Sequence, residues 1–240
     1  MIQGLIYFNE HINEIDLAAA WSLLSPQRRD HLQRYRREAD QRAGAAAYLL
    51  LCRGLQEEYG IKEKPVFDFG PQGKPFISAF LPSTPLPHSE IHFNLSHCAE
   101  AAACVIDSFP VGIDVEATSA YDPQLLPLTM SPAEQQAIRE AEHPERVFTC
   151  LWTMKEAALK CLGTGLTDDL PSLLIGLQPS ALTGLSHDSA NSLILNQLPS
   201  AFPFCDEGAS TYPLRHPRFH FMTAISADLR FAFTACRLKN

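Results

Sequence analysis

A chain of 240 residues with 46% hydrophobic and 19% charged side chains has the makeup of a folded protein of one large or two smaller domains. Its net charge of −8 argues against a general binder of nucleic acid or anionic membrane, so a polyanionic ligand would have to be met by a local basic pocket. The opening MIQGLIYFNEHINEIDL lacks a basic region followed by an apolar core, and no apolar run approaches about 18 residues, so neither signal peptide nor membrane span is expected and a cytoplasmic protein is. Seven cysteines, odd in number and never in CxxC spacing, speak against a disulfide framework or a structural zinc site.

Residues 2–8 (IQGLIYF) predict an opening strand, and a helical pattern follows over about 16–24. Ser25-Pro26 starts another helix. Its continuation, PQRRDHLQRYRREADQR, concentrates Arg28, Arg29, Arg34, Arg36, Arg37 and Arg42 in an otherwise acidic chain. That pattern suits a solvated basic face as well as an anion site. Residues 43–58 read as a core helix closed by Tyr59-Gly60. From Pro65 to Pro87 the chain is rich in Pro and Gly, with Lys74 set between Gly73, which allows close backbone approach to a ligand, and Pro75, which fixes the following turn. IHFNL (91–95) predicts a strand ending in Ser96-His97, and AAACVI (101–106) its neighbour.

VGIDVE alternates with period 2, placing Val111, Ile113 and Val115 on one face and Gly112, Asp114 and Glu116 on the other. Two carboxylates one pleat apart repel unless a cation or proton lies between them, and a hard divalent cation is their natural partner. A solvated strand face accounts for the same pattern. Residues 117–128 read as a connector, and SPAEQQAIREAEHPERV opens with a capping-box pattern. In FTCLWTMKEAALKCLGTGL (148–166), Phe148, Trp152, Glu156 and Lys160 recur every four residues, so an aromatic stripe on one helix side runs into a carboxylate and an ammonium. Gly163 and Gly165 supply the stop. An ordinary exposed Glu/Lys pair gives the same spacing. Strands are expected near 172–177, 192–195, 218–225 and 230–236, with an exposed loop over 207–217. The segment 92–106 faintly echoes 220–236 in its strand, turn, strand layout. No HExxH, GxSxG, P-loop or GxGxxG pattern is present.

In order, GKP, FNLSH, VGIDVE and FxxxWxxKEAxxKxxGxGL resemble the 4′-phosphopantetheinyl transferase superfamily, of the longer surfactin-synthetase-activating type. The resemblance spans about residues 25–175. It implies an α/β (α+β) fold of two similar pseudo-symmetric halves, 1–118 and 119–240, each a small antiparallel sheet packed with helices, with the site in the cleft between them. It further implies transfer of the 4′-phosphopantetheine arm of coenzyme A to a serine of an acyl or peptidyl carrier protein, with Mg²⁺ as cofactor, by a monomer that engages neither nucleic acid nor membrane. Carried over by position, Asp114, Glu116 and Glu156 match metal-binding carboxylates, and Glu156 is also the candidate base. Lys160 matches the lysine near the pyrophosphate, Lys74-Pro75 the turn against the adenine, and Ser96-His97 the pair near the cofactor phosphates. Arg28, His31 and Arg42 fall at basic positions, Arg28 and Arg42 towards the 3′-phosphate. Two departures stand out: His31 replaces a frequent lysine, which would make its contribution pH-dependent, and the spacing around Arg42 is shifted by about one residue.

The residues alone also admit another Mg²⁺-dependent phosphotransferase or diphosphate hydrolase, or a non-catalytic binding module. Phosphoryl chemistry of the first kind calls for in-line positioning, a base and fixed positive charge, which these residue types can supply.

Overall fold

The computed structural model describes residues 4–81, 91–165, 169–174, 201–203, 216–226, 228 and 230–239. The expected strands near 192–195, the end of the one near 172–177 and all but the last positions of the 207–217 loop lie outside these residues. Residues 170–172 form a 3-10 turn that reaches only the first position of the strand expected near 172–177.

Strand β1 (Leu5–Asn9) leads into helices α1 (Leu17–Leu23) and α2 (Pro26–Leu32), then the long α3 (Glu38–Tyr59). Asp16 caps α1 by accepting from the amides of Ala18 and Ala19, and Ser25 caps α2 through Arg28 N–H with Pro26 in the first turn. The arginine-rich segment is therefore not one helix: it breaks between α2 and α3, and α3 begins at Glu38, ahead of the expected residue 43. The Pro- and Gly-rich stretch begins with an antiparallel hairpin, β2 (Lys64–Phe69) and β3 (Pro75–Leu81), turning at Gly73 with φ of 81°. Prolines at 65 and 75 are tolerated because a two-stranded sheet has only edges.

Strands β4 (His92–His97), β5 (Ala102–Asp107), β1 and β7 (Ala201–Pro203) make one sheet in the order β4-β5-β1-β7. Strands β6 (Val111–Ala117), β8 (Phe219–Ile225) and β9 (Phe231–Leu238) make a second, in the order β6-β9-β8. Between them in sequence come α4 (Leu126–Thr129), α5 (Pro132–Glu140) and α6 (Pro144–Leu162). The Ser131 capping box at α5 is present, with both reciprocal bonds made. The described elements are thus the mixed helices and small antiparallel sheets that were expected. β4-β5-β1 and β8-β9-β6 share a strand plan, each with its first strand in sequence hydrogen-bonded to its last.

Alternation of side chains builds four layers. Tyr7, Cys104 and Ile106 pack with α3, whereas Ile6, Phe8 and Val105 pack against Val111, Ile113, Phe231 and Phe233 of the other sheet. The opposite face of that sheet meets α6, where Cys150, Met154, Ala157 and Cys161 join Ala232 and Cys236. β6 is consequently buried on both faces from Val111 to Val115, so the alternative of a solvated strand face does not hold for Asp114. Gly112 is where the strand and α6 come closest: a Cβ there would lie 2.0 Å from the Ala157 carbonyl oxygen.

Candidate active site

A cleft of about 510 Å³ opens beside the end of α6. One wall carries Arg28, His31, Lys74, Pro75 and His97; the other carries Glu156, Lys160, Gly163 and Gly165. Phe67, Phe69, Phe93 and Leu95 line it with apolar surface. Of the positions named from sequence, seven line this one cleft, drawn from between Arg28 and Lys160 of the chain.

Each is held by an identifiable contact. Arg28 donates to the Gly44 carbonyl at 2.9 Å and lies 6.0 Å from the Tyr48 ring centre; burial depresses its pKa. His31 reaches the Tyr35 hydroxyl at 3.3 Å, and Tyr35 stands edge-on to His97. Both imidazoles are held below their ordinary pKa, by burial first and then by the charge of Arg28. Lys74 donates to the carbonyls of Val111 (3.0 Å) and Cys161 (3.1 Å), so its ammonium ties the hairpin to β6 and to the C-terminal turn of α6. Gln27 fixes the same hairpin through both its amide atoms, bonding Phe67 N–H and Phe67 C=O.

Phe148, Trp152, Glu156 and Lys160 form the half-buried edge of α6, between its buried face and the cleft. Gly163, left-handed with φ of 69° and the first of the two glycines expected to stop the helix, ends it after Leu162. Asp114 is 2% exposed; its Oδ1 accepts from Lys160 Nζ at 2.5 Å and from Ser96 Oγ at 2.9 Å. Glu116 is pushed up to about 7 by burial, then by the charges of Asp114 and Glu156, while Lys160 and a Trp152 hydrogen bond oppose the rise. Glu156 is also raised, by burial and then by Asp114.

Three expectations sit differently in the structure. Arg42 does not line the cleft: it pairs with Glu38 one turn back and borders a separate depression beside Trp21. Ser96 is not among the residues lining the cleft, although its neighbour His97 and its partner Lys160 are. Asp114, Glu116 and Glu156 feel one another's charge, yet among the described residues no three His, Cys, Asp or Glu side chains are gathered as a ready-made metal cage. The donor set nonetheless suits a hard cation. Asp114 Oδ2 is buried without a partner, and the raised pKa values of Glu116 and Glu156 reflect negative charge that a cation would offset.

Lys155 is a residue that sequence reasoning passed over. Fully buried, it pairs with Glu134 at 3.0 Å and donates to the Leu170 carbonyl at 2.8 Å, joining α5, α6 and the chain beyond the cleft. The available signal was a second lysine beside Glu156, on the helix side away from the 148/152/156/160 stripe.

Comparison with known proteins converges on this region. Residues 110–210 match the model of the 4′-phosphopantetheinyl transferase superfamily, a span that holds Asp114, Glu116, Glu156 and Lys160. A 4′-phosphopantetheinyl transferase of Bacillus subtilis is 28% identical over 178 residues, covering 72% of this chain and 75% of that protein. The 4′-phosphopantetheinyl transferase Sfp of Bacillus subtilis (strain 168) is 25% identical over 190 residues, 78% of this chain and 81% of its own. The transferase psf-1 of Bacillus pumilus is 32% identical over 152 residues, 62% of each chain.

Proposed function

We propose that this chain, similar to 4′-phosphopantetheinyl transferases over residues 110–210 and to the relatives above, moves the phosphopantetheine arm of coenzyme A onto a serine hydroxyl of a carrier protein, leaving adenosine 3′,5′-bisphosphate. The observation that carries the reading is the composition of the cleft: cationic side chains of α2, the hairpin and β4 line it together with a carboxylate and an ammonium of α6. A polyanion carrying an adenine, met by an acidic protein, needs such a local basic pocket with apolar surface beside it.

In this reading Arg28, His31 and His97 receive phosphate oxygens, and Lys160 neutralises charge on the diphosphate. Lys74, already bonded to two carbonyls, holds the hairpin in place and leaves Pro75 and Phe69 to face the base. Glu156 takes the proton of the carrier serine; its raised pKa brings it nearer to neutrality, where a general base is most effective. Asp114, Glu116 and Glu156 would hold a divalent cation, Mg²⁺ in our reading, which when bound supplies positive charge to the diphosphate oxygens. One chain furnishes both walls, so a monomer suffices. Among the described residues no helix is long and apolar enough to cross a membrane.

Intact-protein mass spectrometry of an apo carrier protein incubated with the enzyme, coenzyme A and Mg²⁺ tests the proposal. A gain of one phosphopantetheine arm is expected. Consumption of coenzyme A with an unmodified carrier would instead indicate a diphosphate hydrolase.

A further inference from the structure

Cys161 lies in the last turn of α6 and Cys236 on β9, and both are free thiols. Gly112 is what lets them meet. In the β6–β9 ladder Gly112 is paired with Cys236, and residues so paired send their side chains to the same face, here the one that meets α6. A Cβ on Gly112 would lie 2.4 Å from the Cys161 amide nitrogen, so the turn holding Cys161 sits directly over the space beside Cys236. The two thiols hydrogen-bond to one another. Cys161 Sγ in turn donates to the Pro110 carbonyl at 3.2 Å, which leaves Cys236 as the donor of the pair.

This arrangement singles out one sulfur. Among the described cysteines Cys161 alone has its pKa lowered, by the Cys236 hydrogen bond first and by the Lys74 ammonium, against burial; burial holds the others up. Cys161 also borders a cavity of about 320 Å³, separate from the transfer cleft, with Lys74, Phe76, Ile91, Pro110 and Leu162 around it. Neither sulfur has a part in the transfer described above. We propose that Cys161 and Cys236 are a redox-active dithiol, a modification site for small hydroperoxides that enter by this cavity. The Cys161 sulfur attacks one oxygen of hydrogen peroxide; the O–O bond breaks, and a sulfenic acid and one water result. The Cys236 sulfur then attacks the sulfenic sulfur, forming the S–S bond and expelling the hydroxyl as a second water. The two sulfurs give up two electrons, which reduce the peroxide, and the two thiol protons leave in the waters. The bond ties the turn of α6 that follows Lys160 to β9.

The test uses the folded full chain, hydrogen peroxide, and alkylation of the remaining thiols in denaturant before peptide mapping. A Cys161–Cys236 crosslinked peptide is expected to form before the half-buried Cys52 and Cys98 are oxidised, and dithiothreitol should remove it. Cys236→Ala keeps a small apolar side chain on β9 but no second sulfur. In that variant the crosslink should be replaced by a dimedone adduct on Cys161, the mark of an unresolved sulfenic acid. Should the variant fail to fold, the wild-type map decides alone. Oxidation of Cys52 or Cys98 while Cys161 and Cys236 remain alkylatable would overturn the proposal. So would the same Cys161 product in wild type and in Cys236→Ala, since Cys236 would then resolve nothing.

Discussion

His97 is packed where a positive charge is unwelcome: burial comes first, then the charges of Arg28 and Lys160, and its pKa falls below the ordinary 6.5. Arg28, Lys160 and His31 all act in that direction, and only Asp40 opposes them. The unfolded chain therefore takes up a proton at a higher pH than the folded one. Stability is lost as pH falls below the ordinary value towards the depressed one, because the unfolded state then holds more protons. Replacing His97 with Gln should flatten that acid limb: the Tm difference between about pH 7 and pH 5 shrinks relative to wild type. An identical acid limb in the variant would show that His97 contributes nothing to it. At this scale the sequence was informative about residue type and less so about contacts. Glu156, Lys160 and His97 were legible from motif and spacing, and all three line the cleft. The use of Ser96 by Asp114 was not legible, since it depends on β4 lying along an unpaired edge of a different sheet.

Helix α6 is set by two features of its buried side. Lys155, 0% exposed, answers Glu134, and removing one member of a buried pair strands the other charge. Lys155→Met should cost about 3 to 5 kcal/mol, measured by urea unfolding. A cost under about 1 kcal/mol would mean that the pair is dispensable. Gly112 is the second feature, because the atoms a methyl would meet are the backbone of α6 itself. Gly112→Ala should push α6 from β6, lowering stability by more than about 2 kcal/mol and reducing transfer, as Glu156 and Lys160 shift with the helix. Wild-type stability in this variant would refute the close approach. Elements with a strong local signal were readable in advance, such as the α5 capping box and the alternation of β6. The β2–β3 hairpin was not, because Pro65, Gly73 and Pro75 carry loop signals even where an edge-only sheet admits them. Burial of both β6 faces was equally hidden, since alternation in sequence does not reveal a polar face covered by a helix.

At the scale of the whole molecule, the cleft is assembled from distant parts of the chain. α2, the β2–β3 hairpin and β4 supply one wall and α6 the other; Lys74 bridges them through the Val111 and Cys161 carbonyls. The ordered motifs pointed to this meeting, but Arg42 shows their limit: a break in the helix before Glu38 places it at a separate depression beside Trp21. The central claim is that the two walls divide the work, one binding the cofactor and the other carrying out transfer. It is tested most directly by the rate at which an apo carrier protein gains one phosphopantetheine arm, followed by intact mass against coenzyme A concentration for Arg28→Ala and Glu156→Gln. Arg28→Ala should raise KM for coenzyme A with kcat nearly kept, whereas Glu156→Gln should lower kcat by about 10² or more. Full kcat in Glu156→Gln, or an unchanged KM in Arg28→Ala, would contradict that division.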